Sequence, residues 1–165
     1  MRRDRQRQIA PLFAIAASVA ALSGALTSQY LGGLQPCVLC LYQRWPYVAA
    51  IALGLVALSV RRRRKIFPLV LALTALALFV TAAIAAFHVG VEQQWWTGTD
   101  ACGGGPALGL SFEAFKEQLL AAPRSRCDRV AWSLFGVSMA GYNFFYATAC
   151  GLIMVQAARQ AARRR

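Results

Sequence analysis

The chain has 165 residues, of which 58% are hydrophobic, and it carries a formal net charge of +12. The apolar residues occur in long blocks that a soluble domain of this size could not bury, so the composition excludes a water-soluble fold. It predicts a single integral membrane domain over residues 1–165. The positive charge could indicate nucleic acid binding, but no nucleic-acid-binding motif accompanies it, and no nucleic acid partner is expected.

Four apolar blocks are long enough to cross a bilayer. Each must be helical there, because lipid offers no hydrogen-bond partners to an exposed backbone. The predicted fold is an all-α bundle of four transmembrane helices, with spans at about residues 9–27, 41–60, 66–89 and 137–155. The first block has the basic start of a signal peptide but no clean cleavage site, and it is predicted to be an uncleaved signal anchor.

The basic residues predict how these spans are oriented. Thirteen of the eighteen Lys and Arg residues lie before the first span, between the second and third, or after the fourth. Cytoplasmic loops carry such an excess, so both termini are expected in the cytoplasm. The loops at about residues 28–40 and 90–136 then face the periplasm. The predicted location is the inner membrane of a bacterium, in contact with the lipid bilayer.

The second periplasmic loop is predicted to contain a short amphipathic surface helix from Ser111 to Ala122. Ser111 is a plausible N-cap, and the apolar residues that follow recur at helical spacing, with charged residues on the opposite side. A helix lying on the membrane surface fits this pattern. A small helix packed against the spans fits nearly as well.

A Cys-x-x-Cys pair, Cys37 and Cys40, stands at the mouth of the second span. Two cysteines at this spacing can close a disulfide with each other and can therefore cycle between dithiol and disulfide. The free N–H groups and the dipole at a helix start would stabilise a thiolate there. Cys102 and Cys127 lie in the second loop and, taken alone, favour a permanent staple. The nearby Cys37–Cys40 pair instead favours thiol–disulfide exchange between the two pairs, because a redox pair needs another thiol or disulfide to exchange with.

Two polar residues are expected at the membrane depth of Cys40. Arg44 lies four residues later, one helical turn deeper on the same face. It could steady a thiolate or donate to a ligand carbonyl, and snorkelling to the interface explains it equally well. His88, at the outward end of the third span, is a weaker candidate. Cys150, inside the fourth span, is expected to be a small buried apolar residue.

Residues 36–46, Pro-Cys-Val-Leu-Cys-Leu-Tyr-Gln-Arg-Trp-Pro, resemble the signature of the disulfide bond formation protein B (DsbB) family. The resemblance covers nearly the whole chain, because it includes four spans, a long second outward loop with two cysteines, and the segment from Cys127 to Met139 before the fourth span. One departure is Ala-Gly-Tyr at residues 140–142, where many relatives have a proline and a tryptophan. It leaves the angle of the fourth span open.

The resemblance implies a thiol:quinone oxidoreductase that sustains disulfide bond formation. Cys102 and Cys127 match the family's partner-facing redox disulfide, and Cys102 is the residue that a reduced, DsbA-like periplasmic oxidase of thioredoxin fold would attack. Cys37 and Cys40 match the quinone-linked redox disulfide. Cys40 would deliver the electrons to membrane quinone, which is either ubiquinone or menaquinone.

By the same resemblance, Arg44 matches the arginine near the quinone, and His88 lies where a quinone-site histidine is expected. No metal site is expected. One alternative is a vitamin K epoxide reductase-like enzyme, but there the loop cysteines precede the Cys-x-x-Cys pair. Another is a non-enzymatic membrane protein that binds metal through four thiolates, although an oxidising compartment would compete by forming disulfides. A structural protein with stapled loops would leave the pair at the helix mouth unexplained.

Overall fold

A computed structural model describes residues 2–99, 102 and 126–163, and for residues 2–6 it describes the backbone alone. Five α-helices and one β-hairpin make up this part of the chain. They are α1 (Arg2–Tyr30), α2 (Val38–Tyr42), α3 (Arg44–Ser59), α4 (Ile66–Glu92), β1 (Ser133–Leu134), β2 (Val137–Ser138) and α5 (Met139–Arg163). The surface helix predicted from Ser111 to Ala122 lies outside the described residues.

Three segments of the described chain are long and apolar enough to cross a membrane, namely Arg7–Tyr30, Val38–Ser59 and Ile66–Glu92. α5 has 25 residues, a length of about 37 Å at the rise of an α-helix. α5 is not among the three candidate spans, because polar residues such as Asn143, Thr148 and Gln156 interrupt its apolar sequence. The fold is therefore a helical bundle of three candidate spans with α5 packed beside them.

Small residues let the helices approach closely. α5 packs along α4, and α3 packs against both α1 and α4. A Cβ atom at Gly54 in α3 would come within 2.7 Å of Ile15 in α1, and one at Gly151 in α5 would come within 3.0 Å of Phe79 in α4. Small residues at such contacts are the usual means by which membrane helices pack, because lipid supplies no hydrophobic driving force between them.

The second span begins earlier than the predicted residue 41. Helix α2 starts at Val38, so Cys40 lies in the first helical turn and not in the loop predicted over residues 28–40. Cys37 is the N-cap, and its Sγ accepts a hydrogen bond from the backbone N–H of Cys40 at 3.3 Å. A capping side chain that satisfies a free N–H explains why the helix can start here.

The second span is also interrupted, which the sequence prediction missed. α2 ends at Tyr42, and α3 begins at Arg44 after the single residue Gln43. Pro46 accounts for the break, because it has no N–H to donate to the carbonyl of Tyr42 and its ring crowds that carbonyl. The break places Gln43 between the end of α2 and the start of α3.

The start of the fourth helix differs from the prediction as well. Residues 137–138 form strand β2, which pairs with β1 through Ser133 with Ser138 and Leu134 with Val137. The two turn residues, Phe135 and Gly136, both have positive φ (50° and 79°), as tight hairpins require. The helix follows as Met139–Arg163, eight residues past the predicted end, because the alanine, glutamine and arginine residues there favour helix. Among the described residues, the hairpin over residues 133–138 is the departure from an all-α chain.

Candidate redox site

Both cysteine pairs lie in one buried cluster at the end of the bundle where α2 begins and α4 ends. The Cys37 and Cys40 sulfurs are 3.0 Å apart and are both free thiols. Cys102 and Cys127 are joined by a disulfide, with their Cα atoms 5.3 Å apart. The arrangement therefore holds one dithiol and one disulfide side by side, which is the combination that thiol–disulfide exchange requires.

Several hydrogen-bond donors converge on Cys37. The thiol and the backbone N–H of Cys40 contact its sulfur, and Nε2 of His88 lies 3.5 Å away. The hydrogen bond with the Cys40 thiol is the main cause that lowers the pKa of Cys37 to about 4, and His88 lowers it further, although burial opposes both. These hydrogen bonds favour the thiolate form of Cys37, which is the form that reacts in exchange.

His88 is buried, with 3% of its surface exposed. Its Nε2 also lies 3.8 Å from a carboxylate oxygen of Glu92, one turn further along α4. Glu92 in turn accepts a hydrogen bond from the hydroxyl of Ser138. The same hydroxyl accepts from the backbone N–H of Gly141 and so caps the start of α5. His88 therefore touches the Cys-x-x-Cys pair directly, and α5 is tied to the same point.

A set of polar side chains that the sequence analysis did not single out surrounds His88. Nε2 of Gln43 lies 3.1 Å from Nδ1 of His88, and Oε1 of Gln43 accepts from Nδ2 of Asn143 at 2.6 Å. Oδ1 of Asn143 accepts from the hydroxyl of Tyr47 at 2.7 Å. The sequence did contain a signal for these residues: a polar amide within an apolar span is costly to bury, so it is a candidate functional residue.

Arg44 is held against α1 by two of its N–H groups. Its Nη1 donates to Oε1 of Gln29 at 2.7 Å, and its Nη2 donates to the carbonyl of Ala25 at 3.5 Å. Its Nε is buried and has no hydrogen-bond partner among the described residues. A buried N–H without a partner costs about 1–3 kcal/mol, so a ligand that accepted from it would recover that energy.

A cavity of about 490 Å³ opens between α1, the α2–α3 segment and α5. Cys40, Arg44 and His88 all line it, together with Asn143 and a mostly apolar remainder that includes Trp132. Binding sites for small molecules have this size and this mixture of apolar walls and a few polar groups. The structure thus brings Cys40, Arg44 and His88 to one cavity, while Cys102 and Cys127 lie in the adjoining cluster.

The ligand atoms of Cys37, Cys40 and His88 lie within 4.8 Å of one another, so these three residues could hold a metal ion. Two thiolates and one imidazole are a ligand set that zinc accepts. The four-thiolate set considered from the sequence is not formed, because Cys102 and Cys127 are bonded to each other.

Comparison with known proteins identifies relatives over most of the chain. The family model described as "Disulfide bond formation protein DsbB" matches residues 6–157. Disulfide bond formation protein B of Xylella fastidiosa (strain Temecula1) is 30% identical over 153 residues, which cover 87% of this chain and 85% of that protein. The protein of the same name from Saccharophagus degradans is 31% identical over 143 residues, which cover 81% of each chain.

An uncharacterized protein of Rickettsia prowazekii is 29% identical over 145 residues, which cover 87% of this chain and 82% of that protein. No solved structure matches the chain significantly. The family match spans nearly all of the bundle, and three helices of the described chain can cross a membrane. The chain is a multi-pass membrane protein that belongs to the DsbB family of disulfide bond formation proteins.

Proposed function

We propose that the protein is an inner-membrane thiol:quinone oxidoreductase. It reoxidises a periplasmic, DsbA-like oxidase of thioredoxin fold and passes the electrons to membrane quinone. The observation that carries this proposal is the cavity lined by Cys40, Arg44 and His88, which adjoins a cluster containing both cysteine pairs. The proposal includes four spans, with α5 as the fourth, cytoplasmic termini, and cysteines that face the periplasm.

The partner's electrons enter at the Cys102–Cys127 disulfide. A thiolate of the partner attacks the sulfur of Cys102, the bond to Cys127 breaks, and a mixed disulfide forms. The partner's second thiol then releases Cys102, so the partner gains a disulfide as this pair becomes a dithiol. Cys102 is only 6% exposed, so docking of the partner has to uncover it first.

The electrons then pass to the Cys37–Cys40 pair by a second exchange. One dithiol is oxidised as one disulfide is reduced, so two electrons move inward without an outside reagent. The Cys37 thiolate is stabilised by its hydrogen bonds with Cys40 and His88. Stabilising the reduced form makes a pair a stronger oxidant, which favours electron flow toward it.

The residues around the cavity fit a quinone. The apolar walls suit its ring and tail, and the unused Nε–H of Arg44 can donate to a carbonyl oxygen. A bound quinone would supply a two-electron acceptor next to Cys40. Arg44 would orient it, and the Cys37 thiolate, 3.0 Å from the Cys40 sulfur, is placed to close the disulfide.

Energetics explain why an acceptor of this kind is needed. A DsbA-like oxidase has a reduction potential of about −120 mV, whereas structural disulfides lie below about −300 mV. For two electrons about 30 mV corresponds to about 1.4 kcal/mol, so an ordinary disulfide could not reoxidise such a partner. Net turnover needs an acceptor of higher potential, and a lipid-soluble quinone provides one within the membrane.

The test is quinone reduction by the purified full-length protein in lipid nanodiscs, supplied with a reduced thioredoxin-like oxidase. Wild type and Cys150→Ser should turn over, because Cys150 is a buried thiol of α5 outside the cluster. Cys40→Ser should not. If wild type is inactive with both ubiquinone and menaquinone, and the reduced protein instead carries stoichiometric metal, the site of Cys37, Cys40 and His88 is a metal site and the proposal fails.

A further inference from the structure

A continuous chain of hydrogen bonds runs from the wall of the cavity to the sulfur of Cys37. The Tyr47 hydroxyl donates to Oδ1 of Asn143 at 2.7 Å, and Nδ2 of Asn143 donates to Oε1 of Gln43 at 2.6 Å. The amide nitrogen of Gln43 lies 3.1 Å from Nδ1 of His88. Nε2 of His88 lies 3.5 Å from Sγ of Cys37. Residues of α3, α4 and α5 and the Gln43 junction thus form one network.

The chain has a direction, because each amide has a donating end and an accepting end. The hydroxyl of Tyr47 donates to Asn143, which orients Asn143 so that it donates to Gln43. Gln43 is thereby oriented with its N–H toward Nδ1 of His88. An atom that faces a donor must accept, so the proton of the neutral imidazole is assigned to Nε2 from this network.

The surroundings of Nε2 agree with that assignment. Two of the atoms near it are Sγ of Cys37 at 3.5 Å and a carboxylate oxygen of Glu92 at 3.8 Å, and both can accept hydrogen bonds. Gln43 is 6% exposed, and its backbone carbonyl accepts from the hydroxyl of Thr81 at 3.0 Å. The amide is therefore bonded to protein groups and not to bulk water.

We propose that Gln43 and Asn143, oriented by Tyr47, are positioning residues that hold His88 in its Nε2–H tautomer and so direct a hydrogen-bond donor at Cys37. The role of this hydrogen-bond donor in the reaction rests on the proposed function. Closing the Cys37–Cys40 disulfide from the Cys37 thiolate releases two electrons and the proton of Cys40, which a bound quinone would accept together with a second proton from water. The donor at Cys37 favours the thiolate that forms the new bond.

One substitution should reverse the network. The carboxylate of Asn143→Asp accepts at both oxygens, so it can still accept from Tyr47 but cannot donate to Gln43. Gln43 then donates its N–H to the new carboxylate and turns its oxygen toward His88. Nδ1 of His88 must become the donor, and Nε2 is left as an acceptor that no longer supports a thiolate at Cys37.

The chain contains a single histidine, so ¹⁵N-histidine labelling of the full-length protein, purified without a histidine tag, reports on His88 alone. Nitrogen NMR of the protein in nanodiscs, at a pH that leaves the imidazole neutral, distinguishes the two tautomers. Wild type is expected to show Nε2–H, and Asn143→Asp is expected to show Nδ1–H. Thr148→Val is the matched control on α5, because that hydroxyl donates only to the carbonyl of Phe144, and it should keep Nε2–H.

An Nδ1–H signal in wild type, or an unchanged Nε2–H signal in Asn143→Asp, overturns the inference. Asn143→Leu gives an independent arm that adds no charge. It should slow the oxidation of the Cys37–Cys40 dithiol by about 10- to 100-fold, the range for residues that orient metal-binding histidines, and it should mix the two tautomers. An unchanged rate and tautomer in this variant would also overturn it. The tautomer measurement uses neither quinone nor partner, so its failure and that of the proposed function can be told apart.

Discussion

Replacing Arg44 with lysine tests how the cavity binds its ligand. Arg44 donates to Gln29 and to the carbonyl of Ala25, while its buried Nε has no partner among the described residues. Lysine keeps the positive charge, but it has a single terminal nitrogen. It therefore cannot replace both contacts to α1 and also the Nε–H that would donate to the ligand. A hydrogen bond to a charged group contributes about 1.5–3 kcal/mol. Its loss should weaken quinone binding by about 10- to 150-fold.

The assay is the KM for quinone in nanodiscs with the reduced partner held at saturation. Arg44→Lys should raise this KM by that factor with a much smaller change in kcat, the pattern of a lost binding contact. Arg61→Lys is the matched control, since Arg61 also donates to a backbone carbonyl and also has a buried Nε without a partner among the described residues, but it lies beyond the other end of α3. An unchanged KM in Arg44→Lys, or an equal rise in both variants, would refute the placement of the ligand.

Two further predictions concern the cysteine pair and the packing of the bundle. Because the pKa of Cys37 lies at about 4, below its ordinary value of 9.0, thiolate formation stabilises the dithiol form above pH 9.0, and this stabilisation is lost as the pH falls toward 4. His88→Ala should move the thiolate absorbance titration to higher pH, and an unmoved curve would show that the imidazole is not the donor. Gly54→Ala forces a methyl group against Ile15, at 2.7 Å, and should destabilise the protein by about 1–3 kcal/mol. Gly24→Ala meets no atom within 4 Å, so equal melting temperatures for the two variants would contradict this packing.

Hydropathy predicted the existence of the helices better than their ends. The third span, predicted over residues 66–89, is α4 (Ile66–Glu92), and α1 extends the first span in both directions. A hydropathy window does not detect a helix that continues into polar sequence. The later start of α5 depends on the hairpin before it, where positive φ at Phe135 and Gly136 and the cap at Ser138 set the boundary. These features depend on backbone geometry and contacts that a hydrophobic pattern does not encode.

In the site, too, local sequence spacing predicted some residues, whereas contacts between distant elements were not predicted. Spacing was enough to point to Cys37, Cys40 and Arg44, because their relation lies within two helical turns. The partners of His88 are Cys37 and Gln43, which flank α2, and Glu92 in α4, and Cys37 lies 51 residues away in the sequence. No local pattern reveals such pairings, although amide residues within apolar spans could have been recognised as candidate functional residues. Contacts between distant elements are therefore the part of the site that required the structure.

In the proposed reaction, electrons leave the Cys37–Cys40 dithiol for quinone. The most direct measurement is a single turnover without oxygen, in which the protein with this pair reduced is mixed with excess quinone and both products are counted. We expect one hydroquinone for each Cys37–Cys40 disulfide formed, with no partner present and with Cys102 and Cys127 still disulfide-bonded. A dithiol that persists in the presence of quinone, or a disulfide that forms without hydroquinone, would contradict it.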